Sequence, residues 1–241
     1  MKNQTILITG ASGGIGRACA LNLSRKGIRV ILHYNKNHSA INSLANEIKE
    51  YSNNYDIINF DLTNKQETLK AVENIDLDGF VHTAAINHPG LFLALEDGNI
   101  EMPIIANLIN TMLLTKVILK KLLSKKKGNI IFISSAITKK IYQGQAIYAT
   151  SKGGIESFAK AIAKEYSRKG IRVNIVSPGP IDTAMLKPTL IFAEADIKKN
   201  IPINRIGEAD EVAELVSFLL SDKANYITGA NYLIDGGFSL G

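Results

Sequence analysis

Gln4–Gly16 reads QTILITGASGGIG, and the interpretation of this stretch decides the fold. Gln4 to Thr9 is a short apolar run that stops at a glycine-rich turn, Thr9–Gly16. Beyond the turn, apolar Ile15, Ala18, Cys19, Leu21 and Leu23 follow a helical pattern that ends at Lys26-Gly27. Strand, glycine turn and helix in that order give each glycine a physical task. Gly10 permits the tight turn, Gly14 lets the backbone approach a pyrophosphate, and Gly16 lets the helix pack closely on the strand. The first N–H groups of the helix would face the phosphates. The stretch predicts a nucleotide site.

Outward from it, strands and helices alternate. Strand patterns fall at Ile28–Tyr34, Asp56–Phe60, Gly79–Thr83, Gly128–Ser135, Ile171–Val176 and Asn231–Ile234, which with Gln4–Thr9 makes seven. Helices are expected through Ile41–Ile48, Lys65–Glu73, a stretch containing Asn107, a long segment ending near Lys169-Gly170, and Glu208–Leu220. This order predicts an α/β fold: one doubly wound parallel sheet, helices on both faces, a single domain over residues 1–241 and a site at the strands' carboxyl ends. Ala184–Asn200 is weakly patterned, holds Pro188, and is expected to be a mobile lid.

The end of the second strand bears on cofactor choice. An acid there would bond a ribose 2′-hydroxyl and repel a 2′-phosphate; the chain has Tyr34-Asn35-Lys36-Asn37 instead. Arg17 and Lys36 would neutralise a 2′-phosphate, which favours NADP(H) over NAD(H). Asp61-Leu62 follows the third strand, where an adenine would rest.

Composition narrows the class. Hydrophobic residues are 46% and charged residues 21%, as in an ordinary globular protein. The single cysteine, Cys19, excludes an intrachain disulfide and favours a reducing compartment, so a cytoplasmic location is expected. The N-terminal apolar run is too short for a secretory signal, and the reading finds no apolar stretch of about 18 residues to span a membrane. Net charge is +6, concentrated in part at Lys120, Lys121, Lys125, Lys126 and Lys127. That cluster reads either as a solvated helix C-terminus or as a patch for an acidic partner. No aromatic residues interleave with it, which argues against nucleic acid.

Gly144–Gly154 (GQAIYATSKGG) sets Tyr148 and Lys152 four residues apart, on one face if helical. A phenol ordinarily titrates near pH ~10. A neighbouring ammonium is expected to lower that value so that Tyr148 can exchange a proton with a substrate oxygen.

Together these residues resemble the short-chain dehydrogenase/reductase family over essentially the whole chain. The pattern TGxxxGxG appears as Thr9, Gly10, Gly14 and Gly16, with Asn107, Ser135 and Tyr148/Lys152 at the positions of the family's active-site residues. Ser135 and Tyr148 are thirteen apart, a usual spacing there. The resemblance implies a Rossmann-like fold and cofactor contacts from Gly10, Ser12, Gly14, Ile15, Gly16, Arg17, Asn35, Asp61, Leu62, Thr83, Ala84, Tyr148 and Lys152, and from Pro178, Gly179, Ile181 and Thr183 at the nicotinamide. It implies that Ser135 holds the carbonyl oxygen, Tyr148 donates its proton, Lys152 holds the ribose, and Asn107 anchors a water. No metal is implied. The nearest likeness is to 3-oxoacyl-[acyl-carrier-protein] reductases, which implies a homotetramer and carrier-protein docking at Lys126 and Lys169. The family's NNAG segment is replaced by His82-Thr83-Ala84-Ala85, which leaves the contact at Thr83 in question and marks His82 as structural. Two rivals stand beside this reading: a reductase of a free small ketone or of a modified protein side chain, and a non-catalytic NADP sensor.

Overall fold

The computed structural model describes residues 4–240; Met1–Asn3, part of the N-terminal signal reading, and Gly241 lie outside the described residues. Seven strands pair in parallel in the order β3-β2-β1-β4-β5-β6-β7. They are β1 Thr5–Thr9, β2 Arg29–Tyr34, β3 Tyr55–Asn59, β4 Gly79–His82, β5 Gly128–Ile133, β6 Ile171–Pro178 and β7 Asn231–Ile234. The order runs outward from β1 to β3, then returns to start again at β4. Beyond the carboxyl ends of β1 and β4 this reversal leaves a crevice, the usual ligand site of open α/β sheets.

Alternation along each strand makes two cores. Ile6 and Ile8 of β1 pack on one face with α1 (Gly14–Arg25) and α8 (Ala209–Leu220), through Leu23, Val212 and Val216. Leu7 points to the other face, among Phe80, Phe132 and Ile155, the last from α6 (Ala146–Tyr166). Helices α2 (His38–Lys49) and α3 (Lys65–Ala71) complete the first half. Strand ends differ from the sequence reading by one or two residues, and β5 has a local reason. Ser134 N still donates to Val176 O, but Ser135 Oγ accepts from Ile137 N at 3.2 Å and turns the chain away from the sheet.

Two expectations change. α4 (Asp97–Ile104), a π-helical segment (Ile105–Asn110) and α5 (Thr111–Lys125) run on as one helix, Asp97–Lys125. Contrary to the sequence reading, it is long and apolar enough to cross a membrane by length and composition, with a mean hydropathy of 1.6. Half of the 18-residue stretch that gives this value is buried inside the domain, and Leu114, Ile118 and Leu122 pack with Phe80 and Ile130 of the sheet. Its apolarity belongs to the core. Ala184–Asn200, in turn, holds a helix, α7 (Lys187–Lys199), broken at Ala193 (φ −139°, ψ 19°). The pattern was weak because no residue of α7 is fully buried.

Candidate active site

A cleft of about 900 Å³ lies at the carboxyl ends of the strands, running from the glycine turn to α7 and Phe238. All the residues named above for cofactor or chemistry line it, with the exception of Arg17. The Arg17 guanidinium pairs with Glu47 on α2. Lys36 lines the cleft between Asn35 and Asn37.

The turn is fitted to a ligand that comes close to backbone. Gly10 sits at φ +72°, where other residues are strained. A Cβ on Gly16 would lie 2.2 Å from Gly10 O, so α1 can start only where a glycine stands. Glycines thus leave a side-chain-free cradle at the N-terminus of a twelve-residue helix, which suits a pyrophosphate. Two side chains hold the cradle. Gly10 N donates to His33 Nδ1 (3.1 Å), and His33 Nε2 bonds Phe60 O (3.0 Å), which fixes a neutral imidazole with its proton on Nε2. Thr83 Oγ1 donates to Thr9 O at 2.6 Å, so threonine in place of the family's asparagine ties the strand end to the turn. At the adenosine end, burial raises the affinity of Asp61 for a proton, but two bonds from Thr63 outweigh it and hold the carboxyl below its usual range. Asp61 is charged.

His82 is structural, as expected. It is buried at the end of β4 and bridges Thr9 Oγ1 (2.8 Å) and Thr111 Oγ1 (3.0 Å). Thr111 Oγ1 also donates to Ala106 O (2.9 Å), so it accepts from His82 Nε2–H, and Nδ1 accepts from Thr9. The imidazole therefore staples β1, β4 and the π-helical segment. That segment presents Asn107, whose side chain clamps both backbone groups of Ile86 at 2.8 Å and donates to Ser151 Oγ at 3.2 Å. Both N–H donors of Asn107 are spent, so the water-anchoring role expected of it would draw on Oδ1 or the backbone alone.

α6 begins at Ala146, and Tyr148 and Lys152 share one of its faces in the cleft. Lys152 Nζ donates to Ile133 O (2.7 Å) and lies 5.6 Å from the centre of the Tyr148 ring. The expected lowering of the phenol pKa is not what this arrangement gives. Burial pushes Tyr148 up to about 12 and Lys152 down to about 8. With the ammonium bonded to a carbonyl, desolvation of the phenolate dominates. The correction suits a donor: a phenol that keeps its proton at neutral pH has one to give. Ser135 Oγ accepts from Ile137 N, which leaves its own hydrogen free to point at a substrate oxygen.

Sequence reasoning missed His33, Ile137, Tyr142 and Phe238, all in the cleft wall. The Tyr142 and Phe238 rings stack at 5.6 Å although they stand far apart in sequence, and no spacing rule could pair them. Cys19 is buried, and the loss of water pushes its thiol up to about 12, which makes it an inert group.

Comparison with known proteins agrees with this geometry. A family model described as enoyl-(acyl carrier protein) reductase matches residues 10–239. An uncharacterized oxidoreductase of Bacillus subtilis is 34% identical over 98% of this chain and 99% of its own length. The human 3-oxoacyl-[acyl-carrier-protein] reductase is 33% identical over 99% of each. Among solved structures, a short-chain dehydrogenase/reductase family protein superposes with a TM-score of 0.91 at 25% identity, covering 100% and 99% of the two chains. A proposed gluconate dehydrogenase from Agrobacterium tumefaciens gives 0.93 at 27%, covering 99% and 96%. The fold and the site define an oxidoreductase of the NAD(P)-dependent kind. The chain belongs to the short-chain dehydrogenase/reductase family.

Proposed function

We propose that the protein reduces a ketone to a secondary alcohol with NADPH, the substrate being a 3-oxoacyl thioester carried on acyl carrier protein. The observation that carries the reading is the meeting of Ser135, Tyr148 and Lys152 in one cleft with the glycine cradle. When bound, the nicotinamide supplies the hydride. Ser135 Oγ–H holds the carbonyl oxygen and stabilises charge developing there. Tyr148, protonated at neutral pH, delivers its proton to the same oxygen. Lys152 supplies the positive field beside that proton and, with its remaining donors, holds the ribose. The lack of an acid after β2 and the place of Lys36 in the cleft wall support NADP(H); with Arg17 paired to Glu47, Lys36 carries that preference. The single buried cysteine supports a cytoplasmic setting.

Carrier docking is supported by Lys126 and Lys169. Gly128 N bonds Gly170 O at 3.2 Å, which brings the backbone after Lys126 against the backbone after Lys169, at a hollow of about 580 Å³ whose lining includes Lys127 and Arg168. This hollow is at the amino ends of β5 and β6, about 20 Å of strand from the cleft. A carrier bound there would feed the cleft of a neighbouring copy, which makes the docking and homotetramer proposals one. The loss of nicotinamide fluorescence with 3-oxoacyl thioesters, simple ketones and sugar-acid ketones tests the substrate class. Lys126→Glu with Lys169→Glu is expected to slow carrier-bound substrate and leave the free thioester unchanged; equal rates on both reject docking. A free small ketone is the second reading, supported by the resemblance to a proposed gluconate dehydrogenase.

A further inference from the structure

One buried charge takes no part in the chemistry above. Glu156 lies on α6 two turns beyond Tyr148 and one beyond Lys152, so the three share a face at i, i+4 and i+8. It is 5% exposed, far below what an unpaired carboxylate tolerates. Its partners explain how it is kept there. Ser134 Oγ donates to Glu156 Oε1 at 2.8 Å, and Thr138 Oγ1 lies 2.7 Å from the same oxygen. Ser177 Oγ is 3.4 Å away, its hydrogen turned to Asn231 Oδ1 at 2.7 Å, and Lys139 Nζ reaches Oε2 at 3.4 Å from the solvent side. Burial pushes the Glu156 carboxyl toward protonation, but the hydroxyls and Lys139 outweigh it and keep the group charged.

The partners belong to one turn. Ser134 and Thr138 bracket Ser135, and the turn between them is the one in which Ser135 Oγ accepts from Ile137 N. Three consecutive residues leaving β5 are thus registered against α6: Ile133 by Lys152, Ser134 by Glu156, and Ser135 in the cleft with Tyr148. We propose that Glu156 is a positioning residue: its carboxylate fixes the Ser134–Thr138 turn to α6 and so sets the Ser135 hydroxyl where the substrate oxygen meets the Tyr148 proton. This rests on the reaction proposed above. One acceptor oxygen serves both hydroxyls, so glutamine can replace glutamate by placing Oε1 at the same point, at the loss only of the half-exposed Lys139 pair. Leucine cannot: it leaves the buried Ser134 hydroxyl without an acceptor and the half-buried Thr138 hydroxyl with Ser135 O alone, at 3.0 Å.

The test compares Glu156→Leu with Glu156→Gln. Glu156→Leu is expected to lose about 10–100-fold in kcat, with NADPH affinity by fluorescence within about twofold, and Glu156→Gln to recover kcat to within about threefold. A crystal structure of Glu156→Leu is expected to show Ser135 Oγ displaced and its bond from Ile137 N broken. Unchanged kcat, or an unmoved Ser135, overturns the proposal; so does a Glu156→Gln loss as large as that of leucine, which would assign the effect to charge. Should Glu156→Leu not fold, Thr138→Val decides: a fall of severalfold in kcat at constant NADPH affinity supports the proposal, and wild-type kcat overturns it. The Ser135 displacement is read without turnover, so it stands or falls separately from the reaction.

Discussion

Burial sets the behaviour of Lys152 and His82 in opposite ways. Lys152 loses water and, with its ammonium bonded to Ile133 O, has its pKa brought down to about 8 by burial. Below that value it is an ammonium beside the proton donor; above it the field is lost. kcat/KM, which reports groups of the free enzyme, should therefore be level near neutrality and fall as pH rises through about 8. A profile flat to pH ~9.5 would remove Lys152 from the account. His82 is neutral because burial holds it well below its usual value, and its worth is in two hydrogen bonds. His82→Leu would leave the buried Thr9 hydroxyl without its acceptor and the Thr111 oxygen without its donor, with Thr111 keeping only its bond to Ala106 O, at a cost of at least about 2 kcal/mol, measured by urea unfolding; a smaller loss would mean that the staple is dispensable. Ser135, Tyr148 and Lys152 were legible through the ordered set of family motifs, the spacing of Tyr148 and Lys152 giving only that the two share a helix face. The sign of the Tyr148 shift was not, because it depends on how far the phenol is withdrawn from water.

At the scale of elements, the glycine turn and the π-helical segment do the placing. A Cβ at Gly16 would strike Gly10 O at 2.2 Å and Thr83 Oγ1 at 2.6 Å. Gly16→Ala should cost about 1–3 kcal/mol and weaken NADPH binding, since the contact can be relieved only by moving α1 off the turn. Unchanged cofactor affinity by fluorescence titration would show that the cradle does not hold the pyrophosphate. The turn could be read from TGASGGIG because each glycine answers a local steric demand. The π-helical segment could not: it is held through Thr111, the next residue of the same helix, by His82 from the sheet, and nothing within Ile105–Asn110 announces it. α7 escaped for the opposite reason, since a helix with no buried residue carries little periodic signal.

For the whole molecule, strand and helix alternation was enough to give the seven-stranded sheet, because a parallel strand needs a crossover and the crossovers are helical. Long-range pairings such as Arg17 with Glu47 were out of reach of sequence distance. Two buried neutral histidines give the fold a pH dependence. His33 is lowered to about 4 by burial, so the unfolded chain takes up a proton below about pH 6.5 that the native state refuses. Stability conferred above that value is lost as pH falls from about 6.5 toward 4, by about 2 kcal/mol at pH 5 for His33 alone; His82 adds in the same direction. Urea midpoints at pH 7 and pH 5 check this, and equal midpoints would contradict it. The most direct test of the central claim, that the cleft is a reductase site whose proton comes from Tyr148, is the turnover of Tyr148→Phe beside its affinity for NADPH. The account predicts a loss of roughly 10²- to 10⁴-fold in kcat with affinity nearly unchanged; a variant that binds NADPH and turns over like the parent would contradict it.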